Sequence, residues 1–221
     1  MVRSTATPYV SNHEGRDASR LSIALAQQIG GEIGQRRPRQ GGEGQRPRHV
    51  DRGEAKPGRQ QPIEHAFAEP GNVASREVVW VAEVDGRPAA AMAAFPLSEG
   101  SARARAFLRL SLRRVPVWRW GRTLRLFMRS GPASPERDRS LYVDSLATVE
   151  DLRRRGAARA LLAEAEREAR AAGLESVTLD TTLDNDIART LYASEGFDEV
   201  AYRPPTGRLP GFVALVKQLG R

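Results

Sequence analysis

Apolar residues recur along this chain at two spacings, and the change from one to the other marks its elements. At 77–95 the run EVVWVAEVDGRPAAAMAAF is mostly apolar on both sides of Asp85-Gly86. That dipeptide suits the left-handed backbone of a two-residue turn, so the segment predicts strand, turn, strand. From 102 the spacing becomes helical. Phe107, Leu108, Leu112 and Val115 make one stripe, and Arg105, Arg109 and Arg113 line another. Trp120, Leu124 and Phe127 repeat the pattern at 118–129, opposite Arg122, Arg125 and Arg129. Two amphipathic helices divided near Pro116 are predicted. LYVDSLATV at 141–149 reads as a strand. Residues 154–172 read as a helix, with Leu161, Leu162, Ala165 and Ala169 on one face and Gly173 as its stop. ESVTLDTT at 175–182 is a further strand. A helix capped by Asn185 or Asp184 runs to about Glu195, and strands follow at 198–203 and 211–219. The order is β-hairpin, two helices, then β-α-β-α-β-β. It predicts an α/β (α+β) domain whose mixed sheet carries helices on its faces.

The beginning of the chain is different. Leu21, Leu25 and Ile29 share a four-residue spacing, which predicts a short helix over 18–29. Residues 31–60 hold seven Gly, three Pro and eight Arg or Lys, against Ile33, Val50 and Ala55 as apolar residues. Such a stretch buries too little to offset its ordering entropy, so disorder is expected there. The expected organisation is an N-terminal segment over 1–70 and a folded domain over 71–221, with an Arg-rich helical insert at 101–130.

Composition narrows the chemistry. The chain of 221 residues has no cysteine, which excludes disulfides, thiolate metal sites and a cysteine nucleophile. Its three histidines are His13, His49 and His65, so chemistry in the C-terminal two thirds works without imidazole. A Ser-His-Asp triad and most zinc sites are thereby excluded there, and no metal is expected. No run approaches the ~18 apolar residues of a membrane span. With no apolar signal segment at the start, the cytoplasm is the expected compartment. The net charge is +8, and 101–130 alone holds nine arginines and no acid. Either these helices cover the sheet with arginines outward, or they meet an acidic acceptor, nucleic acid or a membrane surface. The first is favoured.

The segment with the clearest chemistry is RRRGAARALL at 153–162. A strand leads into three arginines, then Gly156, Ala157 and Ala158 open a helix. The first N–H groups of a helix lack internal partners and carry partial positive charge. Small side chains let an anion approach them, which suits a phosphate or pyrophosphate. Neither a Walker A loop nor a G-x-G-x-x-G fingerprint is present. The alternative is an exposed arginine cluster that merely opens a helix.

Downstream, N185-D-I-A188-R-T-L191-Y192-A-S-E-G196-F197 completes a larger pattern. Arg153-x-x-Gly156-x-Ala158 after a strand, followed by Asn185, Ala188, Leu191, Tyr192, Gly196 and Phe197, resembles the GNAT superfamily of N-acetyltransferases over about 141–203. The resemblance implies a mostly antiparallel sheet splayed at its two central strands. It implies acetyl-CoA as co-substrate. Backbone N–H groups of about Arg154 to Arg159 would cradle the pyrophosphate, including those of Ala157 and Ala158, with Arg153, Arg154 and Arg155 adding charge. Leu146 and Thr148 would pair with the pantetheine arm. Tyr192 would protonate the leaving thiolate, and Asn185 would support the loop on the cofactor side. Read from spacing alone, with Ile187, Ala188, Leu191 and Tyr192 on one helical stripe, Tyr192 is better taken as a core residue. Asp144 is the candidate base, with Asp180 behind it. The resemblance also implies a first strand near 2–8 and a first helix at 18–29. Thr148-Val149-Glu150 departs from the family's usual Val-x-Pro.

The expected function is direct acetyl transfer to an amine of a small molecule or protein, and a homodimer is an expected assembly. Two alternatives are a non-catalytic acyl-CoA-binding domain of the same fold and a nucleic-acid or membrane-surface binder acting through 101–130.

Overall fold

The computed structural model describes residues 9–11, 66–113, 139–207 and 210–220. A seven-stranded sheet organises them, in the order β1-β2-β3-β4-β5-β7-β6. Its strands are β1 (Tyr9–Ser11), β2 (Val79–Val84), β3 (Arg87–Pro96), β4 (Ser140–Thr148), β5 (Ser176–Thr182), β6 (Asp198–Arg203) and β7 (Phe212–Gln218). Its longer α-helices among the described residues are α1 (Leu97–Leu112), α2 (Ala157–Ala171) and α3 (Asp186–Ser194). Every neighbouring pair is antiparallel except β4 and β5, which are parallel and joined through α2.

The β2–β3 turn forms as expected, with Asp85 at φ 54° and Gly86 at φ 69°. Alternate residues of β2 and β3 serve two cores. Ala82, Val84, Ala90, Met92 and Ala94 face one core with Leu161, Leu162, Ala165 and Ala169 of α2. Val79, Val81, Ala91, Ala93 and Phe95 face the other with Phe67 and Val78. Strand β3 is therefore buried on both sides, which explains its unbroken apolar composition.

The two central strands separate part-way along. Register between β4 and β5 runs from Ser140↔Ser176 to Val143↔Leu179 and then ends. Strand β5 goes on pairing with β7 through Thr182↔Phe212, and β4 goes on pairing with β3 through Thr148↔Ala90. The divergence coincides with a bulge. Ala94 pairs Val143 and Ala93 pairs Ser145, so Asp144 is the extra residue of β4. Bulges bend the strand that carries them, and this one bends β4 where it leaves β5.

The structure corrects several sequence boundaries. Helix α2 starts at Ala157, not 154. Before it, Glu150–Leu152 makes a 3-10 turn, Arg153 is extended, and Arg154 (φ 63°) and Gly156 (φ 84°) are left-handed. A right-handed helix cannot include such residues. Helix α1 begins at Leu97, five residues before the apolar stripe, where Glu99 and Arg103 form an i,i+4 pair at 2.8 Å. The apolar positions of α3 are only partly buried, because Ile187 is 85% exposed while Tyr192 is buried. The first strand is seen at Tyr9–Ser11. The expectations for 2–8, 18–29, 31–60 and 118–129 lie outside the described residues.

Candidate active site

The splay and the entry to α2 lie at consecutive points of the chain. From Asp144 to Thr148, β4 keeps β3 on one edge and has left β5 on the other. Leu146 pairs with Met92 and Thr148 with Ala90 on that retained edge. Val149 N–H donates to the Ala89 carbonyl (2.8 Å), which holds the chain against the sheet as it turns. The loop then reaches Gly156, whose left-handed backbone delivers the helix start without a side-chain cap. The first bond of the new helix runs from Ala160 N–H to the Gly156 carbonyl (3.0 Å). The N–H groups of Ala157, Ala158 and Arg159 precede it in the first turn, where a helix has no carbonyl to offer them. Ala157 is buried beneath this turn, and Gly156 is exposed.

The arginines here are not equivalent. Arg153 and Arg154 are exposed, with no ion pair among the described residues. Arg155 Nη1 lies 3.1 Å from Asp85 Oδ2, and Arg87 Nη2 lies 3.2 Å from Asp151 Oδ2. These two pairs clip the β2–β3 turn to the loop before α2. Arg159 Nε lies 2.8 Å from Glu195 Oε1, and its Nη2 donates to Ser194 Oγ (3.3 Å). The first turn of α2 is thus tied to the last turn of α3.

Helix α3 supplies the other two expected residues. Asn185 is its N-cap: its Oδ1 accepts from Ala188 N–H (3.3 Å), and its Nδ2 donates to Thr181 Oγ1 (3.3 Å). It fixes the junction between β5 and α3. Tyr192 belongs to the core shared with α2, with its ring tilted against Phe197 at 5.9 Å. The core reading of Tyr192 is the one these contacts show. Its ring is core, and it lies on the face of the sheet that α2 covers.

Asp144 and Asp180 are each the first residue beyond the last β4–β5 pair, so they flank the opening of the splay. Asp144 reaches solvent, yet the protein crowding it, followed by the charge of Asp180, lifts its carboxyl to about 6. Tyr142 Oη donates to Asp180 Oδ2 (3.2 Å). Burial, then the charges of Asp180 and Asp144, push the Tyr142 phenol well above its usual range, so it stays a donor. Sequence reasoning missed Tyr142. It also missed Asp85 and Glu195, the partners of two loop arginines. Only Tyr142 carried a sequence signal, standing two residues before Asp144 on a strand.

A family model described as Acetyltransferase (GNAT) family matches residues 48–197. The chain belongs to this family. It is accordingly an acetyltransferase, and the splayed sheet is that family's fold. Solved structures agree on the fold. An N-acetyltransferase from Staphylococcus aureus Mu50 aligns with TM-score 0.66 at 15% identity, covering 94% of this chain and 99% of that one. A structure described as an acetyltransferase aligns with TM-score 0.65 at 16% identity, covering 96% and 100%. The ribosomal-protein-S18-alanine N-acetyltransferase from Escherichia coli aligns with TM-score 0.50 at 15% identity, covering 97% and 96%. No curated protein sequence matches the chain. Among the described residues of this acetyltransferase, no helix is long and apolar enough to cross a membrane.

Proposed function

We propose that this acetyltransferase moves an acetyl group from acetyl-CoA directly to an amine nitrogen. The observation that carries this reading is one continuous feature: a β4 edge that leaves β5 beyond Val143, running into an uncapped, small-residue helix start. The residues fit the donor. An extended arm needs backbone partners along an open strand edge, and 144–148 offers one. A pyrophosphate needs N–H donors and positive charge, offered by the first turn of α2 and by Arg153 and Arg154. Leu146 and Thr148 are assigned to the arm, and Arg153 to Arg159 to the pyrophosphate. Asn185 holds the junction beside them.

When bound, acetyl-CoA supplies an activated thioester. The chain positions the amine and manages protons. Asp144 is assigned as base: its carboxylate takes a proton from the ammonium, an N–H bond gives way to an O–H bond, and the nitrogen keeps the lone pair that attacks. Tyr192 is assigned as the acid for the departing thiolate, to which a phenol of ordinary pKa about 10 is a matched donor. No cysteine is available for a covalent acetyl carrier, which favours direct transfer.

Calorimetry with acetyl-CoA tests the donor half. The parent should bind with micromolar affinity, about −8 kcal/mol. Gly156→Glu puts a side chain and a negative charge at the helix start and should abolish binding in a protein that still folds by circular dichroism. A folded parent that does not bind would overturn the reading.

A further inference from the structure

We infer that Tyr142 and Asp180 act as a positioning pair that decides which of two carboxyls at the mouth of the splay carries a shared proton, and that the carrier is Asp144. The inference rests on the assignment of Asp144 as base, and it names two residues through which that base is tuned.

Register brings the two carboxyls together. Val143↔Leu179 is the last parallel pair, so Asp144 and Asp180 are the next residues on strands that are just separating. Neighbouring strands lie about 4.8 Å apart. Two carboxylates at the point of divergence share one field, and each opposes ionisation of the other. Left alike, they would share a proton without preference.

Tyr142 breaks the symmetry. A phenol has one proton to donate, and here it goes to Asp180 Oδ2 (3.2 Å). A hydrogen bond to the charged form favours that form, so this contact biases the pair toward an ionised Asp180. Its charge then raises the proton affinity of Asp144, which the surrounding protein already raises. Among the described residues, two further cations stand near this point. Arg203 of β6, stacked on Phe212 at 4.9 Å, places a cation whose field reaches Tyr142. From α1, Arg103 stands over Phe95, whose ring leans on Tyr142, but Arg103 is already paired with Glu99 (2.8 Å) and Glu77 (3.8 Å). Strand β3 brings Ala93, Ala94 and Phe95 to this point, none of which titrates.

The consequence is a division of labour. Asp144 accepts the proton of an incoming ammonium, and Asp180 stays ionised beside it, so the proton can leave to solvent as the next cycle begins. A single isolated carboxyl with an ordinary affinity would be a weaker base at neutral pH.

Carbon-13 carboxyl NMR of aspartate-labelled full-length protein tests this without requiring turnover. In the parent, Asp144 should titrate near 6. In Asp180→Asn its midpoint should fall part of the way toward the ordinary aspartate value, because crowding remains. In Tyr142→Phe the pair should titrate as two mixed steps, the upper one moving to higher pH and appearing partly on Asp180. Opposite displacements in the two variants support the pair. An Asp144 midpoint that is the same in all three proteins overturns it. Should Asp180→Asn not fold, Tyr142→Phe decides alone, since it removes one oxygen from a ring that keeps its packing. A second measurement separates this inference from the proposed function: kcat/KM against pH with acetyl-CoA and a panel of primary amines. An acid limb that follows the NMR midpoints supports both. A limb that ignores them while the midpoints still move supports the pair and removes Asp144 as base.

Discussion

Asp144 is a residue whose chemistry and stability point in opposite directions. Its carboxyl lies at about 6 in the folded chain, above the ordinary 3.8. The folded state thus binds more protons than the unfolded one between these values, and stability falls as pH rises through that window. The penalty is full above about 6 and absent well below 4. Asp144→Asn should therefore raise the melting temperature at pH 7, by a few degrees at most, and the gain should vanish near pH 4. The same change should lower the rate of acetyl transfer by about 10²- to 10⁴-fold, the usual contribution of a general base. Asp85 makes a second local prediction. It holds Arg155 at a half-exposed pair, worth at most about 1 kcal/mol. Asp85→Asn frees that arginine, and calorimetry at low salt should find acetyl-CoA bound up to about fivefold more tightly, with less gain at high salt.

Helix ends govern the site more than helix middles do. Helix α2 is held by Leu161, Leu162, Ala165 and Ala169, but its use depends on the left-handed Gly156 before it. Helix α3 depends on Asn185, which closes its first turn and grips Thr181. Asn185→Ala should destabilise the fold by about 1 kcal/mol, the usual value of a lost cap. Thermal melting measures this directly. A weaker acetyl-CoA affinity should accompany it, because the β5–α3 junction borders the splay. Helix α1 shows why an arginine-rich stripe is a poor guide to function. Arg105, Arg109 and Arg113 are exposed, whereas Arg103 is only 17% exposed and serves Glu99, Glu77 and Phe95. One of its arginines is therefore structural.

The sheet as a whole explains the order of events along the chain. Strand β7 inserts between β5 and β6, so the last segment of the domain completes the layer that carries α3. Strand β1 pairs with β2 through Tyr9↔Glu83, Val10↔Ala82 and Ser11↔Val81 and protects that edge. An unprotected β2 would present free backbone groups to another chain. Removal of residues 1–11 should therefore promote association, seen as growth in light scattering at concentrations where the full chain stays monodisperse. The proposed division at residue 70 bears on the same point, since three residues of the N-terminal segment belong to the sheet.

Local patterns in the amino-acid order already contained β2 to β7, α2, α3, the Asp85-Gly86 turn and the glycine-alanine helix start. Each of these follows from side-chain period or backbone permissiveness, which neighbours in sequence settle among themselves. The family was legible for the same reason, because its motifs are contiguous. Other features needed the assembled sheet. The extra residue at Asp144 exists only relative to β3, and the point where β4 leaves β5 exists only relative to Leu179. The hydrogen bond from Tyr142 to Asp180 spans 38 positions, and the pair of Arg155 with Asp85 spans 70. Proton affinity and ion pairing depend on distance in space, and in this protein the decisive distances are between strands.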